Sequence, residues 1–359
     1  MGPIEPLRAT YLEARAAFGD AARAAGARVS SHVHPGQGPE GEELAVDLAS
    51  LGPDDATDLV LVVSGTHGVE GYCGSALQTQ WLRTCRHERP EGTRVVMLHG
   101  FNPYGFAWVR RVNEDNVDLN RNFVDWTGMP PANPEYDGIA DLVVPADWSK
   151  AEQQRTTLEL LTIAEERGWE HLQTVISSGQ YSQPTGVFYG GREPVWSHSL
   201  LLDVVATELA SCQRLTIIDL HSGLGPWGHG ELIVHEPVGS PGYDRARATW
   251  GEVRSMQSGE SVSAVLQGDW LAAIPGLVAD SEVTAAALEF GTVDIVTVMQ
   301  ALRADAWLHA HGDPLGAEAP AIRAQVRAAF ADDGPGWIAT LWERFAAVMR
   351  ASLGLPARA

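Results

Sequence analysis

The sequence predicts an α/β fold: a single domain built on one mixed, twisted β-sheet with helices on both faces. Three observations carry this expectation. Residues 59–63, 93–98 and 215–220 are short apolar runs bounded by turn residues, the pattern of strands buried on both faces. Stretches of helical spacing lie between them, such as residues 73–86 with Ala76, Leu77, Trp81, Leu82 and Cys85 on one stripe. The chain has 359 residues, 45% of them apolar, enough for one large core. No internal repeat or linker divides it.

In chain order, residues 5–26 read as a helix, with Pro6 in its first turn and Leu7, Tyr11, Ala14 and Phe18 on one face. Residues 28–34 and 43–51 read as two strands, with His32 and His34 as polar residues of an edge strand. Residues 126–150 carry Pro130, Pro131, Pro134 and Pro145 and read as a long irregular loop. Residues 150–167 return to helix, 174–178 read as a strand, and 196–210 as a helix. The Gly- and Tyr-rich segment 179–191 is a candidate cleft wall. Residues 231–234 and 285–288 are further strands. From Val293 onward three amphipathic helices are expected, with Ile322, Val326 and Phe330, then Trp337, Leu341, Phe345 and Val348, as their apolar stripes.

Composition narrows the function. There are 25 basic and 46 acidic residues, a formal charge of −21. Such a field repels phosphate backbones and anionic lipid, which argues against nucleic-acid and membrane partners. Cys73, Cys85 and Cys212 do not make a disulfide framework. No basic segment followed by an apolar one opens the sequence, and no apolar run approaches a membrane span. The expectation is a soluble cytoplasmic protein.

The chemistry concentrates where strands end. Residues 59–63 run into Ser64-Gly65-Thr66-His67-Gly68-Val69-Glu70-Gly71. An imidazole and a carboxylate three residues apart can turn toward one cation. Alone, His-x-x-Glu reads as two surface residues on a turn, and the metal reading needs the rest of the chain. Residues 215–220 repeat the design, ending in His221-Ser222-Gly223. Two histidines and one glutamate match a catalytic zinc site with an open position. Asp118 and Asp219 are candidates to accept the second N–H of each imidazole. Asp118, Asn120 and Arg121 form a polar cluster with little apolar sequence around it, and Glu289 ends an apolar strand. His99, His229 and His235 read as polar wall residues and Cys73 as core.

With these positions in hand, the chain resembles the zinc metallocarboxypeptidases of the carboxypeptidase A type, and most closely a bacterial branch of unknown function. The family pattern His-x-x-Glu matches His67 and Glu70. Asp-x-Asn-Arg-Asn matches Asp118, Asn120, Arg121 and Asn122. The later zinc histidine matches His221, and the catalytic glutamate matches Glu289. The match runs in order over about residues 55–295. The resemblance implies one zinc ion on His67, Glu70 and His221, activating water and polarising the substrate carbonyl. It implies Glu289 as the proton-transferring base, Asn120 and Arg121 holding a substrate carboxylate, and an oxyanion arginine from Arg110 or Arg111, with Arg111 preferred. The implied substrate is a small peptide, or in aspartoacylase-like relatives an N-acyl amino acid. One departure stands out: no tyrosine lies between Tyr243 and Glu289, where the classical enzymes carry one that closes over the substrate. Tyr181 or Tyr189 is the substitute this chain offers. A binder that has kept the fold without catalysis is the contrasting reading, and the intact Glu289 argues against it.

Overall fold

The computed structural model describes residues 4–210 and 212–357. Eight strands form one sheet: β1 (Arg28–Gln37), β2 (Glu43–Leu51), β3 (Asp58–Ser64), β4 (Thr93–His99), β5 (Arg214–Trp227), β6 (Gly230–Val234), β7 (Arg254–Ser255) and β8 (Glu282–Gly291). Their spatial order is β1-β2-β4-β3-β5-β8-β6-β7. The central strands β4, β3, β5 and β8 run parallel, and antiparallel pairing joins β1 to β2, β2 to β4 and β6 to β8. The helices are α1 (Tyr11–Ala24), α2 (Gly71–Thr84), α3 (Pro103–Trp108), α4 (Pro134–Asp137), α5 (Ala140–Val143), α6 (Lys150–Arg167), α7 (Trp169–Ser177), α8 (Trp196–Glu208), α9 (Pro241–Trp250), α10 (Trp270–Leu277), α11 (Ile295–Ala310), α12 (Ala319–Phe330) and α13 (Pro335–Ser352).

The period-two geometry of a strand sorts each apolar run onto two cores. Val60 and Val62 of β3 join Ile218, Leu220, Ala286 and Leu288 under α1, α2, α9 and α13. Leu59, Leu61 and Val63 join Leu215, Ile217, Val283 and Ala285 under α8 and α10. A third apolar cluster lies among α6, α7, α11 and α12. Among the described residues no helix is long and apolar enough to cross a membrane.

Four local expectations change. The first helix begins at Tyr11, because Thr10 and Glu13 form a reciprocal capping box that outcompetes Pro6 as a start. Residues 174–178 close helix α7 rather than making a strand; a short apolar run has no period of its own, and Leu172, Val175 and Ile176 bury one helical face. The proline-rich loop holds the one-turn helices α4 and α5. Strand β5 does not stop at Leu220 but continues through His221 to Trp227, so His221 is a strand residue.

Candidate active site

Sheet register builds the first half of the site. In β5, Asp219 and His221 continue the alternation of Leu215 and Ile217, so they lie on the α8/α10 face. Strand β8 pairs with β5 so that Glu289 is the register partner of His221, and Ala287 that of Asp219. The neighbouring strand β3 ends at Ser64, opposite Leu220. Its continuation brings His67 and Glu70 to the same point.

That continuation is locked in place. Gly68 and Val69 donate their backbone N–H groups to Arg111 O and Arg110 O at 3.0 and 2.7 Å. Gly68 lies so close to α3 that a Cβ there would sit 2.0 Å from Gly105 C. Only glycine fits this approach, and it fixes where the flanking His67 and Glu70 point.

Ligand atoms of His67, Glu70 and His221 all fall within 4.8 Å of one another, and all three residues are buried. Glu70 Oε1 is 3.0 Å from His67 Nδ1, and Glu70 Oε2 is 3.0 Å from His221 Nδ1. The two Nδ1 atoms are 3.1 Å apart. On the far side of each ring stands an aspartate. His221 Nε2 is 2.6 Å from Asp219 Oδ2, and His67 Nε2 is 3.3 Å from Asp118 Oδ1, off the axis of a full hydrogen bond. Asp219 is itself oriented by Thr66 Oγ1 and Trp270 Nε1, at 2.7 and 2.8 Å. In the neutral tautomers that keep Nε2–H on the aspartate side, both Nδ1 lone pairs and the Glu70 carboxylate converge on one point. A divalent cation resolves that convergence, and nitrogen-plus-carboxylate donors suit zinc. The residues present therefore fit the implied metal.

The titration behaviour follows the charges. Burial pushes the Glu70 carboxyl up, but His67 and His221 outweigh it and hold it below the ordinary carboxylate range. Burial pushes the His221 imidazole down, yet Asp219 and Glu70 hold it well above its ordinary value. Burial and the neighbouring Glu70 charge push Glu289 up to about 7. Its Oε1 accepts from Leu224 N at 2.9 Å, and the side chain reaches the cavity.

The adjacent arginines separate cleanly. Arg110 is buried and faces away, with Nε on Asp305 at 3.0 Å and Nη2 on Asn116 Oδ1 at 2.9 Å. Arg111 lines the cavity; its Nε donates to Asp118 Oδ2 at 3.0 Å and its Nη1 to Glu70 Oε1 at 3.2 Å. Arg121 is also at the cavity but buried, giving Nε and Nη2 to Ser177 O and Nη1 to Asn120 O. Phe188 packs against both, 5.1 and 5.3 Å from the guanidinium carbons of Arg111 and Arg121. Asn120 Oδ1 is buried without a partner. Asn122 holds Gly190 O and Glu193 O and belongs to the scaffold.

Neither substitute tyrosine reaches the cavity. Tyr181 donates its hydroxyl to Arg121 O at 2.7 Å, and Tyr189 is packed in the core under α8. The segment 179–191 does wall the cleft, but through Phe188. His235, just after β6, lines the cavity as the polar wall residue expected, and Asp269, the N-cap of α10, joins it without a sequence signal for the site. His235 Nδ1 is 3.8 Å from Asp269 Oδ2. An N-cap aspartate is legible from sequence, but its place in a cleft is not.

Among solved structures, the chain is similar to carboxypeptidase A from Helicoverpa armigera, with 14% identity over 90% of this chain and 74% of that one and a TM-score of 0.48. It is similar to an aspartoacylase family protein from Mesorhizobium loti, with 15% identity over 74% of this chain and 61% of that one and a TM-score of 0.38. It is similar too to a succinylglutamate desuccinylase/aspartoacylase from Rhodobacter sphaeroides, with 14% identity over 80% and 66% of the two chains and a TM-score of 0.40. The chain thus spans less than two thirds of the length of the last two. No curated protein gives a significant sequence match. Residues 8–344 match the family described as protein of unknown function (DUF2817), and the chain belongs to that family.

Proposed function

We propose that this chain is a zinc-dependent hydrolase that cleaves a peptide or peptide-like amide bond next to a free carboxylate. The observation that carries the reading is the convergence of His67 Nδ1, His221 Nδ1 and the Glu70 carboxylate, with Glu289 beside His221 in the sheet register. We read residues 1–359 as one catalytic unit whose chemistry lies within about 55–295. Cys73, Cys85 and Cys212 are buried and none forms a disulfide, which suits a reducing, cytoplasmic setting.

His67, Glu70 and His221 would hold one zinc ion, which when bound supplies Lewis acidity toward water and the substrate carbonyl. Glu289 takes the proton from the attacking water and passes it to the leaving amine. Arg111, anchored by Asp118 and lining the cavity, donates to the developing oxyanion. The side-chain N–H of Asn120 donates to the substrate carboxylate. Arg121 lies beneath it and supplies positive charge more than a two-pronged grip, since its donors already serve Ser177 O and Asn120 O. A deacylase acting on a small N-acyl amino acid would use the same residues.

A panel of dipeptides and N-acyl amino acids tests the proposal. Hydrolysis of at least one member, abolished by a chelator and restored by one equivalent of zinc, is the expected outcome. Turnover that survives complete metal removal contradicts it.

A further inference from the structure

We infer that the cavity takes the substrate's free carboxylate at one end and a bulky apolar acyl group at the other. The preferred substrates are then amino acids N-acylated by an aromatic or medium-length aliphatic acid. This rests on the hydrolase reading and extends it by naming the acyl group.

The lining divides by chemistry. Helices α6, α7 and α11 contribute Leu160, Leu161, Trp169, Leu172, Val296 and Met299. The polar side chains on that wall are bonded to one another. Gln300 Nε2 and Arg303 Nη1 each donate to Thr157 Oγ1 at 2.9 Å, and Arg303 Nη1 also reaches Gln300 Oε1 at 3.1 Å. Among the described residues no buried polar atom of that wall lacks a partner, so a ligand there is favoured by the apolar area it buries. Among the described lining residues the buried atoms without a partner are elsewhere, at His67 Nε2, Asn120 Oδ1 and His235 Nδ1, and the groups there that suit a carboxylate are the Asn120 side-chain N–H and the Arg121 guanidinium beside it.

Helix α7 sets the distance between the two regions. Its last residue, Ser177, holds Arg121, whereas its first residue, Trp169, belongs to the apolar wall. Nine residues of helix span about 12 Å. At that apolar end Leu161, Trp169 and Val296 are 38%, 42% and 40% exposed, an unusual grouping on so acidic a chain. An extended amino acid takes up about 3.5 Å of that span. An acyl group of about one ring, or about six carbons, then reaches the apolar end.

The test compares acetyl, butanoyl, hexanoyl and benzoyl derivatives of one amino acid on the zinc-loaded protein, with calorimetric binding of acetate and hexanoate as a turnover-independent readout. The value of kcat/KM should rise roughly threefold to fourfold per methylene up to hexanoyl, and hexanoate should bind more tightly than acetate. In the double variant Leu161→Gln, Val296→Gln the hexanoyl preference should fall by about tenfold or more. Both positions are more than a third exposed, so the fold tolerates the change. Equal kcat/KM for acetyl and hexanoyl substrates, or hexanoate binding no tighter than acetate, overturns the inference. No hydrolysis of any derivative, with hexanoate still the tighter ligand, strikes the hydrolase reading and supports the apolar end.

Discussion

Replacing Glu289 by Gln should lower kcat by about 10²–10⁴-fold, the usual contribution of a positioned proton carrier, while zinc stays bound. The substitution keeps the size of the side chain and its acceptor toward Leu224 N but removes the base. The metal ligands belong to other residues, so metal content is the control that separates loss of the base from loss of the site. The pH profile adds a sign. Glu289 titrates near 7 because it is buried and close to the Glu70 charge. It accepts a proton only when ionised, so kcat/KM should rise with pH through an acid limb. Zinc adds positive charge nearby and moves that midpoint to below about 7. Unchanged kcat in the Gln variant would remove Glu289 from the mechanism.

Replacing His221 by Ala should weaken zinc binding by more than the about 10–100-fold typical of losing an outer-shell partner, and activity should fall with it. Asp219→Asn should show that smaller effect, because Asp219 sets only the orientation and basicity of the ring. Protons compete for the same position. Asp219 and Glu70 hold the His221 imidazole well above its ordinary value, so its protonated form persists to high pH and must be displaced. Zinc affinity should therefore rise with pH, by about tenfold per unit for each proton released. Equilibrium dialysis against a competing chelator at several pH values measures both effects. Equal zinc affinity in wild type and His221→Ala would exclude the residue as a ligand.

How far the sequence discloses this arrangement depends on the distance over which each residue's fate is decided. The strands that lead to His67 and carry His221 and Glu289 were legible because each contains a short apolar run followed by polar residues. The choice between Arg110 and Arg111 was not local. It is settled by Asp305, a helix residue far along the chain that captures Arg110. The length of β5 was hidden by the glycines after Ser222, which look like a turn. They instead carry a register shift beside β8, with Gly223 at φ 139 against Phe330. Residues 174–178 looked like a strand because an apolar run so short fits either period, and packing against its neighbours decided for helix. The start of α1 was legible in Thr10 and Glu13, but Pro6 distracted from it. Asp269 shows the limit: it joins His235 at the cavity because β6 and α10 converge there, which no spacing between them records.

The most direct test is an anomalous-scattering map of zinc-loaded crystals at the zinc edge. One strong peak per chain, lying between the Nδ1 atoms of His67 and His221 and the Glu70 carboxylate with Glu289 facing it, is the predicted result. A peak held by other residues, or none between these three in protein that turns over its substrate, would contradict it.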